Sequence, residues 1–194
     1  MKISIPFALL FALLSLSSTR AADTYMIDKM HSTLGFEVRH LFSKVPGKFN
    51  EFSGVLQYDE ANPEISSVEV TIDAKSIDTS NAQRDGHLKS PEFFDVAKYP
   101  EITFKSKSVK KIGDGKFDVM GDFTLHGVTK AVVLKVELLG KGAGPQGVTV
   151  SGWEATTSIK RSEYGLAWNN VIEGTQMVGE DVLIDLKVEA DKKK

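Results

Sequence analysis

The sequence predicts an all-β fold, an eight-stranded antiparallel barrel with a short helical insertion near residues 80–98. Three observations carry this. Four long runs alternate apolar and polar residues with period two, the pattern of a strand with one face buried and one in water. Turn dipeptides, Asp114-Gly115 and His126-Gly127 among them, stand between runs closely enough for hairpins. Eight long strands with one apolar face each would also leave sticky edges unless the sheet closes on itself.

In chain order, residues 1–21 read as an export leader rather than as part of the fold. Lys2 supplies a short positive region, Ile3 to Leu16 an apolar run, and Thr19 and Ala21 the small residues that flank a cut between Ala21 and Ala22. This is the three-part layout of a secretory signal peptide, and its apolar run is short for a membrane span. Residues 22–194 are then expected to form one exported domain. Its first strand covers 33–40, with Leu34, Phe36, Val38 and His40 on the apolar face. Val68, Val70, Ile72 and Ala74 mark a second such face, Phe117, Val119, Gly121, Phe123 and Leu125 a third, and Val182, Ile184, Leu186 and Val188 a fourth. Residues 51–58, 101–109, 128–139 and 147–160 complete the eight. In the last of these, Val148 and Val150 sit at even positions but Trp153, Ala155 and Ile159 at odd ones, which predicts a bulge near Gly152. The insertion has a capping-box arrangement at Ser80 to Gln83 and a cap before proline at Ser90-Pro91, so about 80–98 reads as a short helix or two, and Tyr99-Pro100 returns the chain to extended structure.

Composition removes several functions. The chain carries 24 Lys and Arg against 26 Asp and Glu, and Lys2 and Arg20 leave with the leader. An acidic balance argues against bulk electrostatic binding of nucleic acid or anionic lipid, both of which need a basic surface. Cysteine is absent, which excludes disulfides, thiolate metal sites and thiol nucleophiles. The four histidines, His31, His40, His87 and His126, form no close helical pair, so no metal site is expected. Gly142 to Gly147 matches the form of a dinucleotide fingerprint, but strands flank it where a helix must follow; no cofactor is expected. No nucleophile elbow occurs, and no enzyme activity is expected. Arg84, Asp85 and His87 in the insertion read as surface charges or as groups at the barrel mouth. Large rings on inward positions either fill a core or line a greasy tunnel, and periodicity alone does not separate the two.

Longer motifs go further. Tyr25-Met26-Ile27-Asp28, His31-Ser32, Phe36-Glu37-Val38 and His40-Leu41 open the chain, and Gly47, Phe49, Phe52 and Gly54 follow as G-x-F-x-x-F-x-G. Next come Ser76-Ile77-Asp78-Thr79, Arg84-Asp85-x-His87-Leu88, Phe93-Phe94-Asp95 and Tyr99-Pro100-Glu101-Ile102-Thr103-Phe104, and then Gly121 to Lys130. From Tyr25 to about Ala190 the chain resembles the YceI family, with Tyr25 where many members carry Trp. The resemblance implies a lipocalin-like barrel whose apolar tunnel holds a polyisoprenoid, such as a quinone tail or polyprenyl lipid, or another long amphiphile. It also implies a periplasmic location, and several members look dimeric, so a homodimer is open. No catalytic residue carries over, because the family has no accepted reaction. The residues expected to meet the ligand are Leu34, Phe36, Val38, His40, Phe49, Phe52, Val70, Ile72, Phe93, Phe94, Phe104 and Trp153. The rival is an enzyme acting on an apolar lipid with His40, His31 or Arg84 as polar actors; a third reading is a solid barrel used as an interaction module.

Overall fold

The computed structural model describes residues 22–169, 171–172 and 175–193; the expected leader lies outside them. The strands are β1 (Asp23–Ile27), β2 (Thr33–His40), β3 (Ser43–Phe49), β4 (Phe52–Tyr58), β5 (Ser67–Asp73) and β6 (Ile77–Asp78). After the single α-helix of the described residues, α1 (Ala82–Lys89), come β7 (Glu101–Gly113), β8 (Lys116–Leu125), β9 (Val128–Ala143) and β10 (Thr149–Lys160). Two short strands, β11 (Val171–Ile172) and β12 (Thr175–Gln176), pair with each other before β13 (Val178–Lys192). The main sheet closes into an antiparallel ring in the order β1-β4-β5-β7-β8-β9-β10-β13, sealed by pairing of β1 with β13. Closure leaves no free ring edge for another strand to join.

The eighth place in that ring belongs to β1, not to the strand over 33–40. β13 takes two partners along one edge: Ala190–Lys192 face β1, and Val178–Lys187 face β2. Between β1 and β2 the chain makes a one-turn helix at Lys29–His31, capped by the Asp28 carboxylate. The Ser32 hydroxyl accepts from the Glu189 amide at 3.0 Å and lies 3.2 Å from its carbonyl, so a side chain stands in for the missing ladder rungs. β2 continues into β3, and β3 meets β6 at Phe49 and Ile77. One half of the barrel is thus walled by β1 and the other by β2, β3 and the insertion. We call the end bearing the Asp114-Gly115 turn the turn end, and the end bearing α1 the helix end.

Of the one or two helices expected in the insertion, the structure has one, α1. Its cap is Asn81, whose side chain accepts from the Arg84 amide at 3.0 Å, whereas Ser80 is left-handed at φ 59°. After Lys89 the chain turns instead of starting a second helix: the Phe93 and Asp95 amides both bond the Ser90 carbonyl. Two adjacent rings explain this. Phe93 packs on His87 and Trp168, while Phe94 packs on Phe49. The bulge does lie at Gly152, but the extra residue is on the neighbouring strand. Ser151, Trp153 and Ala155 are all buried, so β10 keeps one parity, and the unmatched residue is the exposed Leu139 of β9 opposite Gly152 and Trp153.

Close approach fixes one glycine. A Cβ on Gly121 would lie 2.5 Å from the Lys105 carbonyl oxygen and 2.6 Å from the Phe104 ring. The ring can tilt, but the carbonyl belongs to the β7–β8 ladder. Gly121→Ala is expected to destabilise the fold by about 1–3 kcal/mol; an unchanged urea midpoint would contradict the close-approach account.

Candidate ligand tunnel

The inward faces do not fill the barrel. They enclose a cavity of ≈ 200 Å³. Its wall runs along β10 through Trp153, Ala155, Thr157 and Ile159, and along β13 from Val182 to Ala190. The β10 stretch alone spans about 20 Å of strand, so the cavity is elongated. At the turn end it meets a stack of buried rings, Tyr58 edge-on to Trp153 at 5.1 Å and to Phe117 at 6.3 Å. The Trp153 indole N–H donates to Ser151 Oγ at 2.9 Å, so the ring offers the cavity only its apolar face. At the helix end stand Phe36, Phe49 and Phe94, with centroids 5.7 and 6.0 Å apart, all half-buried.

The chemistry of the wall is uniform. Among the described residues no Asp, Glu, Lys, Arg or His side chain lines it, and its polar members are Ser66, Ser67, Thr103, Thr157 and the phenol of Tyr58. Burial, with the Glu60 carboxylate adding to it, raises Tyr58 above its ordinary value, so it remains neutral. Such a cavity suits a hydrocarbon chain and offers no acid–base pair.

Of the positions singled out in the sequence, Leu34, Phe36, Phe49, Val70, Ile72, Phe94, Phe104 and Trp153 line the cavity. Four others sit elsewhere. Val38 and His40 keep the parity of β2 but do not line the cavity: Val38 pairs with Val182, where the β13 wall begins, and His40 with Val178, outside it. Phe52 borders a shallow polar depression with Thr71, Asp73 and Glu101. Phe93 is buried against His87 and Trp168. Arg84 is turned to the insertion itself, donating to Thr79 Oγ1 at 2.7 Å and to the Thr79 carbonyl at 2.6 Å.

Two polar clusters outside the cavity were not apparent from residue spacing. Arg161 is 4% exposed and follows β10 at the helix end. It donates from Nε to the Gly179 carbonyl at 2.8 Å and from Nη1 to those of Leu166 and Trp168 at 2.5 and 2.8 Å, and it reaches Glu180 at 3.4 Å. Burial pulls its value below the ordinary one, with Glu180 opposing. Asp28, His31 and Glu189 form the second cluster, at the break between β1 and β2, with ligand-type atoms within 4.8 Å of one another. The sequence writes it as Asp-x-x-His, a spacing that a search for paired histidines does not test.

That second cluster makes stability depend on pH. His31 Nδ1 lies 2.6 Å from Asp28. The bond and the carboxylate charge raise His31, and the same bond with the Met30 amide lowers Asp28. The histidine contribution is therefore complete below its unfolded value of about 6.5 and is lost as pH rises through the raised folded value. The carboxylate contribution is present above about pH 4 and is lost as pH falls through the lowered folded value. His31→Gln is expected to lower the melting temperature at mildly acidic pH and to leave it unchanged in alkaline buffer. An equal difference at both would sink the clip.

The structure defines a class: a closed antiparallel barrel around an apolar chamber. The YceI-like domain family matches residues 25–190, and the chain belongs to that family. It is 43% identical over 160 residues to Protein YceI of Salmonella arizonae, covering 81% of this chain and 83% of that protein. The crystal structure of the Campylobacter jejuni YCEI protein superposes with TM-score 0.71 at 34% identity, over 80% of this chain and 90% of that one. A polyisoprenoid binding domain from Saccharophagus degradans, implicated in plant cell wall breakdown, shares the fold with TM-score 0.66 at 17% identity, over 90% of this chain and all (100%) of that domain. Among the described residues no helix is long and apolar enough to cross a membrane.

Proposed function

We propose that this protein is an exported binder and carrier of a polyisoprenoid, or a similar long-chain amphiphile, held in the barrel cavity. The observation that carries the reading is the cavity wall, elongated, apolar and without a charged side chain among the described residues. Burying an alkyl chain there gains about 0.8 kcal/mol per CH₂ before the costs of ordering, so few polar contacts are needed. The Saccharophagus domain, a polyisoprenoid binding domain, supports the choice of ligand class. Leu34, Phe36, Phe49, Val70, Ile72, Phe94, Phe104 and Trp153 would contact the chain. The same wall disfavours catalysis, since His31, His40 and Arg84 all stand outside it. The leader-like residues 1–21 support export to the periplasm.

Mass spectrometry of protein purified from its native host tests both parts. The expected result is a co-purifying lipid with a long apolar chain, on a polypeptide that begins at Ala22. A native protein free of lipid, or carrying only small polar molecules, would overturn the carrier reading; a chain still starting at Met1 would overturn export.

A further inference from the structure

The tip of the β2–β3 hairpin departs from turn chemistry in one direction. His40 pairs with Ser43, so Leu41 and Phe42 make a two-residue turn. Such turns favour Asn-Gly or Gly-x, because the first central residue takes a positive φ. Here a leucine holds φ 50°, a conformation bulky side chains seldom accept. The next residue, Phe42, is 95% exposed. The tip is held rather than loose: Arg39 Nη1 donates to the Leu41 carbonyl at 2.8 Å, and the Leu41 amide to the Met177 carbonyl at 2.8 Å. Two apolar residues therefore occupy the most outward point of the hairpin against the local preference, the kind of departure that marks function.

Charge and position name the occupant. Along Phe36 to Phe49 the hairpin carries exposed Arg39, Lys44 and Lys48 against one carboxylate of its own, Glu37, which pairs with Lys44 at 2.6 Å, while Asp78 of β6 faces Lys48 across the ladder. The whole chain has a formal charge of −2, so this is a basic projection on an acidic protein. An exposed ring flanked by cations matches the interface of an anionic bilayer, where the ring enters the headgroup region and the cations meet phosphate. The hairpin also bears Phe36 and Phe49, whose half-buried rings stand at the helix end of the cavity, whereas the turn end is stoppered by buried rings.

We propose that the Leu41-Phe42 tip, with Arg39, Lys44 and Lys48, docks the helix end of the barrel onto an anionic lipid surface. This rests on the lipid-carrier reading and adds the place where cargo crosses. The test is co-sedimentation of the mature protein with vesicles of phosphatidylethanolamine and phosphatidylglycerol, and with vesicles of phosphatidylcholine alone. Binding is expected to the first and to weaken as salt rises. Phe42→Ser should reduce it at least about tenfold. Replacing the turn by Leu41→Gly with Phe42→Ser should abolish it without lowering the melting temperature, since positive φ at the first central residue alone calls for Gly-x. Lys44→Gln with Lys48→Gln should remove the preference for the anionic vesicles. Binding unchanged in all these variants overturns the proposal. So does a wild-type dimer in sedimentation velocity that Phe42→Ser converts to monomer without altering vesicle binding, which makes a second copy the occupant. Cargo found by mass spectrometry with no vesicle binding removes docking and leaves the carrier reading; empty native protein removes the carrier reading whatever the vesicles show.

Discussion

Arg161→Met is expected to cost the fold about 3–5 kcal/mol, the scale of removing one side of a buried charged network. The guanidinium is the common donor for carbonyls of Gly179, Leu166 and Trp168. These belong to separate stretches, the chain after β10 and the start of β13, which one planar fork ties together. Methionine keeps much of the length and apolar contact but donates nothing, so several carbonyls lose their partner at once. Glu180 already has one buried oxygen, Oε2, without a hydrogen-bond partner among the described residues. Loss of the cation would leave its other oxygen without its 3.4 Å contact as well. The expected readout is a melting temperature lower by about 10 °C, with Arg161→Lys recovering only part, because an ammonium cannot reproduce the fork. A methionine variant within about 1 kcal/mol of the parent would show that water replaces the guanidinium at little cost.

Val70→Trp is expected to expel the bound chain while the barrel still folds. Val70 lines the cavity from β5, between Gly54 on β4 and Phe104 on β7. An indole there would project into a space of ≈ 200 Å³, so it fills void rather than displacing packed atoms. Lipid recovered per mole of protein should fall at least about tenfold, with a melting temperature close to the parent's. If this region is instead tightly packed, the larger side chain overpacks it and costs about 1–3 kcal/mol. Full lipid retention with a sharply lower melting temperature would place the ligand elsewhere.

Much of the barrel is legible in the sequence because its strands are long and one-sided. Phe117 to Leu125 and Val182 to Val188 write their inward faces at every second residue, and those faces line the cavity. β1 and β3 are not legible for separate reasons. β1 is five residues long, too short for alternation to stand out. β3 contains Pro46-Gly47, which reads as a turn. It is tolerated because β3 lies outside the ring, where a proline need not interrupt a central ladder. Gly47 also leaves space that the Phe36 ring fills; a Cβ there would lie 2.3 Å from it.

Parity tells which side a residue faces, but not how far along the barrel it sits. Hence Leu34 and Phe36 line the cavity, while Val38 and His40, on the same face, run past it. Phe93 and Phe94 lie in a turn, where neither period applies, and only the structure assigns one ring to the cavity. Arg161 reads as an ordinary surface charge in Lys-Arg-Ser-Glu, since nothing local announces that four carbonyls converge on it.

The seam of the ring has a kinetic consequence. The other ring contacts span at most 41 residues, as between Val150 and Asp191, but the seam joins Tyr25 to Lys192, 167 residues apart. The first strand to be synthesised must wait for the last. Until β13 is available, the growing sheet is an open ribbon with an apolar face and an unpaired edge, the form most prone to association. Pairing across nearly the whole chain must meet its loop-closure entropy before the contact returns anything. Sealing is therefore a late, all-or-none event. A chain kept unfolded until it is whole avoids the hazardous ribbon stage, and a truncation before Ala190 would leave β1 paired with β4 alone and the ring open.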